Sequence, residues 1–188
     1  MKLGIAEKRA LLILARESIA RELGVDVPSP KRQVEPDPAL LDAPCGAFVT
    51  LKIGETLRGC IGNMRSSRPL RKTVAEMAKS SALRDPRFPP LIPEELARVT
   101  IEISVLSPLW QVKDLEELIP GEHGLYLTYR GRSGVLLPQV ATEQGWTKEE
   151  FVRHTCLKAG CPEDTWKLPD TKLELFTAEV FSEEDIFR

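Results

Sequence analysis

Long hydrophobic runs are missing from this sequence. The longest uninterrupted apolar stretch, ALLILA at residues 10–15, is far shorter than the roughly 20 residues that a helix needs to cross a bilayer. The first residues, MKLGIAEKRALL, also lack the uncharged apolar core and the cleavage site of a signal peptide. We therefore expect a cytoplasmic protein that does not enter the membrane.

A strong charge imbalance is missing too. The chain carries 26 Lys and Arg against 28 Asp and Glu, a formal charge of −2 over 188 residues. Proteins that bind nucleic acid normally show a strongly basic balance, so the composition argues against nucleic acid as a partner. Any site for an anion must then be local. With 42% apolar residues, the chain is long enough to bury a substantial core, and we expect one domain over 1–188.

The cysteines form neither a CxxC pair nor a regular disulfide framework, so we expect reduced thiols. They are Cys45, Cys60, Cys156 and Cys161. His154 lies near two of them, but Thr147 and Glu150 form a capping box that predicts a helix there. On that helix His154 points away from Cys156. We therefore predict no metal site and no cofactor.

The N-terminal quarter combines a helix with a proline-rich arm. Apolar residues at helical spacing predict an amphipathic helix over 5–23, which Gly24 would end. Prolines in 25–45 disfavour a further helix and predict an extended arm along the surface. These prolines are Pro28, Pro30, Pro36, Pro38 and Pro44.

From residue 46 onward the sequence contains two segments that are similar to each other. GAFVTLKIGETLRGCIG at 46–62 aligns with GLYLTYRGRSGVLLPQV at 124–140, and each is typical of a hairpin with glycine in its turn. A helical pattern follows each hairpin, at 68–83 and at 148–160. An alternating strand pattern comes after each of these helices, at 99–107 and at 174–182. We therefore predict an α+β fold of two strand-strand-helix-strand repeats in halves 46–110 and 120–185. They would form one mostly antiparallel sheet with flanking helices, with barrel-like closure left open. The alternative is chance similarity between the hairpins.

The motif LRGCIG at 57–62 is the first candidate for chemistry. Strand alternation sends Leu57 and Ile61 toward the core and places Arg58 and Cys60 on the other face. A guanidinium beside a thiol favours the thiolate, so Cys60 is a candidate nucleophile and Arg58 its stabiliser. The glycines at 59 and 62 would leave the approach open. In the alternative interpretation, Cys60 is a small core residue.

A basic segment follows the motif. Residues 58–72 carry five cations and no carboxylate: Arg58, Arg65, Arg68, Arg71 and Lys72. Ser66 or Ser67 could cap the next helix, and its first amides together with the arginines predict an anion site. Gly59, Gly62, Arg65 and Arg68 are therefore candidate substrate contacts. A solvated helix face is the alternative.

The loop RDPRFPPLIP at 84–93 is held rigid by four prolines. Asp85 either acts as a general base for the thiol or pairs with an arginine as a structural group. Arg87 would be held in a fixed direction and is a further candidate substrate contact. In the second half, His123 precedes a hairpin and could serve as a base, while Gln139 and Trp146 could line a cleft; for Trp146 packing is the favoured role.

Several segments together resemble the AmmeMemoRadiSam system protein A family, named after the AMME-syndrome chromosomal region. The matching segments are LRGCIG at 57–62, DPRFPPL at 85–91, EISVLSP at 102–108, LLPQVA with GW at 136–146, and CLKAG at 156–160. The likeness covers nearly the whole chain. Cys161 stands where the family usually has leucine, so no special role is expected for it.

The resemblance implies an α+β domain of two subdomains with the hexapeptide in a cleft, and it implies no particular substrate. It also implies partners, because family members are similar to one part of a system with a Memo-type protein and a radical S-adenosylmethionine enzyme. Two functions stay open. One is cysteine-dependent catalysis or thiol carriage on an anionic small molecule, with Cys60, Arg58, Asp85 and His123 as the reacting set. The other is a non-catalytic adaptor that docks through the basic face.

Overall fold

The computed structural model describes residues 2–28 and 34–187. Pro30, part of the expected arm, lies outside this range. The chain divides into two compact units. Unit 1 combines the residues up to Leu106 with those from Glu179 onward, and unit 2 comprises Ser107–Ala178. Each unit carries one four-stranded sheet.

The described part of the chain contains seven α-helices and eight strands. The helices are α1 Ile5–Leu23, α2 Pro38–Asp42, α3 Leu70–Leu83, α4 Pro93–Leu96, α5 Pro138–Glu143, α6 Lys148–Lys158 and α7 Glu183–Phe187. The strands are β1 Ala47–Ile53, β2 Thr56–Asn63, β3 Val99–Leu106, β4 Trp110–Gln111, β5 Gly124–Tyr129, β6 Arg132–Leu136, β7 Lys172–Phe176 and β8 Ala178–Ser182. Among these helices, none is both long and apolar enough to cross a membrane.

The sheet of unit 1 has the order β2-β1-β3-β8. The central strand β1 pairs antiparallel with β2 and with β3. Helices α1 and α3 cover one face, where Val49 and Leu51 of β1 and Ile101 and Ile103 of β3 are fully buried. The alternating apolar residues of β1 and β3 therefore build the core against the two helices.

Unit 2 has the sheet order β4-β7-β5-β6. Its central strand β5 pairs antiparallel with β6 and with β7, and α6 packs on β5 and β6. Phe151 of α6 and Leu125 and Leu175 of the sheet are fully buried. In both units the first strand of the hairpin is thus central, the second lies at an edge, and a helix precedes the third strand.

This common order confirms the predicted α+β class and the strand-strand-helix-strand repeat. The helix expected over 5–23 is also confirmed, and Gly24 ends it with a left-handed φ of 68°. The single continuous sheet is wrong, because the two hairpins lie in separate sheets. Neither sheet of the described residues closes into a barrel.

Three local predictions also differ from the structure. The alternating segment at 174–182 is two strands, β7 and β8, which belong to different sheets. Thr177 separates the two strands, and its backbone N–H and carbonyl form hydrogen bonds with Ser107. The second hairpin ends at Leu136, because Pro138 begins α5. The extended arm contains the short helix α2, which the Asp37 side chain caps through the Ala39 N–H.

Candidate functional site around the Cys60 strand

A β-bulge interrupts β2 at Arg58. Leu51 of β1 faces Gly59 and the next residue, Lys52, faces Leu57, so Arg58 has no partner on β1. An extra residue of this kind breaks the alternation of side chains between the two faces of a strand. The prediction that Leu57 is buried is therefore wrong, since Leu57 is 36% exposed. Ile61 is half-buried.

Arg58 points to the loop at 84–93 and to the helix α4 that follows it, and its guanidinium group is bound to both. Its guanidinium donates to both carboxylate oxygens of Glu95, at 2.9 and 2.8 Å, and to the backbone oxygens of Pro89 and Pro90. The hydrogen bond to Glu95 raises the pKa of Arg58, and Arg58 in turn lowers the pKa of Glu95. Arg58 thus fastens the loop to the sheet.

A second set of hydrogen bonds joins the loop at 84–93 to the backbone of Cys60. The Asp85 carboxylate accepts the Cys60 N–H at 2.8 Å, while Arg87 donates to the Cys60 carbonyl at 3.1 Å. Arg87 also donates to both oxygens of Asp85. These bonds to Arg87 hold the pKa of the Asp85 carboxyl well below its usual range. Asp85 is 4% exposed and therefore acts as a buried structural acceptor on the outer edge of β2.

The Cys60 thiol lies on the sheet face opposite to α3. Thr50, its neighbour across the strands, donates its hydroxyl to the sulfur at 3.2 Å. Glu102 of β3 is paired with Thr50 on the other side and forms an ion pair with Lys52. Burial raises the pKa of the Cys60 thiol above its usual value, against smaller opposite effects of Thr50 and Arg87. This direction opposes formation of the thiolate.

Close packing explains the two glycines of the motif. A Cβ atom on Gly59 would lie 2.2 Å from the carbonyl oxygen of Ser81 in α3. On Gly62 it would lie 2.1 Å from the Phe48 ring on the neighbouring strand. Their assignment as substrate contacts stays a prediction, while the helix and the ring account for the absence of side chains at both positions.

Ser81, which joins α3 to the hairpin, was not among the residues predicted from the sequence. Its hydroxyl donates to the Val49 carbonyl at 2.7 Å and accepts the Ile61 N–H at 2.8 Å. Val49 and Ile61 are cross-strand partners, so the hydroxyl contacts both strands of the hairpin at the same pair. Only the repeated small residues of α3, Ser80, Ser81 and Ala82, signal such a close contact in the sequence.

Carboxylates from other segments neutralise much of the basic segment. Arg68 pairs with Glu76, and Arg71 pairs with Asp42 at 2.7 Å. Neither Ser66 nor Ser67 caps α3, which has Pro69 at its N-cap. Instead the Ser66 hydroxyl is bonded to that of Thr73 at 2.8 Å. A pocket of about 210 Å³ opens here, lined by Asn63, Arg65, Ser66, Ser67, Arg68, Thr73, Glu76 and Met77.

The remaining candidates, His123 and Gln139, belong to unit 2. The His123 Nδ1 lies 3.0 Å from the Glu117 carbonyl and 3.2 Å from the Ile119 nitrogen, and its ring meets Trp110 edge-on. Gln139 lies in α5, with its side-chain oxygen buried and without a hydrogen-bond partner among the described residues. Their roles stay predictions.

Metal-ligating side chains are not clustered in the described residues, where no three His, Cys, Asp or Glu side chains come together. His154 stacks on the Trp146 ring, with a centroid distance of 3.8 Å. The four cysteines are unpaired by disulfides. Cys156 and Cys161 are buried in a small apolar cluster with Leu127.

The AMMECR1 family model matches residues 12–181. A protein of Methanopyrus kandleri is 40% identical over 98% of this chain and 92% of its own length. A protein of Thermococcus kodakarensis is 45% identical over 82% of each chain. Among solved structures, the crystal structure of an uncharacterised protein from Pyrococcus horikoshii matches with a TM-score of 0.86 and 38% identity, over 100% of this chain and 95% of that one.

Proposed function

We propose that this chain, which belongs to the AMMECR1 family, is a non-catalytic binding component of the system with a Memo-type protein and a radical S-adenosylmethionine enzyme. One observation carries the proposal. Arg58 of the hexapeptide is bound to Glu95 and to the backbone of the loop at 84–93. Asp85 and Arg87 of that loop are bound to each other and to the Cys60 backbone, so that these three charged groups fasten the loop to β2. The motif therefore builds a rigid surface.

The surface that results combines apolar side chains with one cation. Leu57 and Ile92 are 36% and 52% exposed, and Arg87, Pro89 and Pro90 are exposed as well. We call these five residues the loop platform. Leu91 anchors it from below, being 2% exposed with its N–H bonded to the Ala82 carbonyl at 2.8 Å. Arginine and apolar groups are favoured in protein interfaces, and a rigid surface loses little entropy on binding.

The edge of β2 favours binding through side chains over addition of a strand. Asp85 and Arg87 already occupy the outward N–H and carbonyl of Cys60. A partner strand could not pair at this position without displacing both groups, and native proteins protect sheet edges in this way.

Replacing an exposed isoleucine of the loop platform tests the proposal. We expect Ile92→Asp to weaken binding to the two partner proteins by on the order of tenfold, because it places a charge in an apolar contact. Ile119→Asp is the matched control, since Ile119 is 49% exposed in unit 2, and it should bind as the parent chain does. Affinities can be measured with immobilised protein. Equal affinities for the two variants, or no binding by the parent chain, would contradict the proposal.

Cysteine-dependent chemistry is the second candidate. The hydrogen bond from Thr50 and the proximity of Arg87 both favour the thiolate, although burial outweighs them. The rate of Cys60 alkylation by iodoacetamide as a function of pH separates the two functions. A structural thiol should react slowly near neutral pH and faster only above its usual pKa. Fast alkylation of Cys60 at neutral pH, compared with Cys45, Cys156 and Cys161, would favour the nucleophile.

A further inference from the structure

The pocket at the start of α3 combines two guanidinium groups with hydroxyl groups. Arg65 and Arg68 line it together with Ser66 and Thr73. We propose that this Arg65/Arg68 pocket binds a phosphate group, either inorganic phosphate or the phosphate of a small monoester. The proposal is independent of docking at the loop platform, because it depends on other residues.

The donors of the pocket suit the oxygens of a phosphate. Guanidinium groups bind phosphate through paired N–H donors, and a serine or threonine hydroxyl can donate a further bond. Thr73 is 2% exposed, and its hydroxyl lies 2.8 Å from that of Ser66. The Ser66 oxygen also accepts the Arg68 N–H at 3.1 Å. The two hydroxyls are thus held in place on the pocket wall.

The size of the pocket limits the ligand. Its volume of about 210 Å³ is below the roughly 300–1,000 Å³ of sites for drug-sized ligands. A phosphate with a few further atoms fits, whereas a nucleotide would extend into solvent. We therefore infer a small phosphorylated molecule or the free anion.

Glu76 occupies the position that the ligand would take. Its carboxylate lines the pocket and pairs with Arg68. The two side chains are 44% and 64% exposed, and exposed ion pairs contribute little to stability. A phosphate monoester carries about −1.5 to −2 charges at neutral pH against the single charge of Glu76. The phosphate can therefore displace Glu76 from Arg68, which makes Glu76 an internal competitor.

Two substitutions with opposite effects test this arrangement. Titrations of the full chain with inorganic phosphate and with glycerol 3-phosphate, at constant ionic strength, can be followed by calorimetry or by amide chemical shifts. We expect Arg68→Ala to weaken binding by on the order of tenfold, because a charge-assisted contact is lost. We expect Glu76→Gln to tighten binding by about threefold, because an exposed competing ion pair is removed.

Arg71→Ala is the matched control, because Arg71 is a nearby arginine in the first turn of α3 that pairs with Asp42 and does not line the pocket. It should leave the affinity unchanged. Tighter binding of glycerol 3-phosphate than of phosphate identifies a monoester as the ligand, and equal affinities identify the free anion. The proposal is overturned if phosphate does not bind the parent chain, if Arg71→Ala weakens binding as much as Arg68→Ala, or if Glu76→Gln fails to tighten it.

Discussion

Gly59 shows how a single residue limits what the hexapeptide can be. Its Cα faces the carbonyl of Ser81, so any side chain would push α3 away from β2. The contact at Gly62 is different, because it involves the movable ring of Phe48. The two glycines therefore differ in how far the surroundings can adapt to a larger residue.

We expect Gly59→Ala to lower the free energy of unfolding by about 1–3 kcal/mol, because the clash is with backbone. Gly62→Ala should also destabilise the chain, but the further change Phe48→Leu should restore much of the loss. Urea unfolding followed by circular dichroism measures both. Circular dichroism is needed because the tryptophans, Trp110, Trp146 and Trp166, lie in unit 2. Equal stability of Gly59→Ala and the parent chain would contradict this account.

Asp85 makes the stability of unit 1 dependent on pH. Arg87 lowers the pKa of Asp85 in the folded state, so the folded chain releases this proton more readily than the unfolded chain. Stabilisation by Asp85 is therefore complete above the unfolded pKa of about 3.9 and is lost as the pH falls below it.

We expect Asp85→Asn to lower the free energy of unfolding near neutral pH by about 2 kcal/mol, through loss of charge-assisted hydrogen bonds. The difference from the parent chain should shrink as the pH falls from 5 toward 2, on the order of the range in which a carboxylate of this kind titrates. Urea unfolding at a series of pH values tests this. A difference that stays constant with pH would show that the charge of Asp85 is not the cause.

At the scale of elements, Ser81 couples α3 to the hairpin of β1 and β2. Ser81→Ala would leave the Ile61 N–H and the Val49 carbonyl without their shared partner. We expect a loss of about 1–3 kcal/mol in the free energy of unfolding and faster hydrogen exchange at Ile61. Ser67→Ala, at an exposed serine outside the helix, is the control. Unchanged exchange at Ile61 would show that the Ser81 hydroxyl does not protect this N–H.

Elements with strong local signals could be predicted from the sequence. Gly24 ends α1 and the capping box of Thr147 and Glu150 begins α6, as expected. The bulge at Arg58 could not be predicted, because an alternating pattern does not reveal an extra residue in one strand. The boundary at Thr177 could not be predicted either. Apolar and polar residues largely alternate from β7 into β8, although the two strands belong to different sheets.

The candidate site could be predicted less well than the fold. The predicted pairing of Asp85 with an arginine is confirmed, because it pairs with Arg87, while its role as a general base stays a prediction. The partners Glu95 of Arg58 and Asp42 of Arg71 lie 37 and 29 residues away in sequence, and no local pattern connects them. The positive charge predicted for the basic segment at 58–72 was therefore too large, because carboxylates pair with several of its arginines.

At the scale of the whole molecule, unit 2 is an insertion between β3 and β8 of unit 1. Ser107 and Thr177 exchange two hydrogen bonds of 2.9 Å where the chain enters and leaves. Each unit also has its own buried apolar cluster, around Ile101 in unit 1 and Phe151 in unit 2.

We expect unit 1 to fold after residues 108–176 are replaced by an Asn-Gly turn that joins Ser107 to Thr177. Its core and its four strands lie outside the deleted segment, so thermal unfolding followed by circular dichroism should stay cooperative. The isolated segment 107–178 provides the reciprocal measurement. A deletion variant without a cooperative transition would show that unit 1 depends on the insertion.

The nested order of the units also sets the order in which they can be completed during synthesis. Strand β8 lies beside β3 in the sheet of unit 1 but follows the strands of unit 2 in the sequence. A nascent chain leaving the ribosome therefore exposes the whole of unit 2 before unit 1 has its fourth strand. Until then the outer edge of β3 is unpaired and open to other chains. A translational pause before residue 178 would prolong this vulnerable state, whereas rapid synthesis of residues 178–182 would end it.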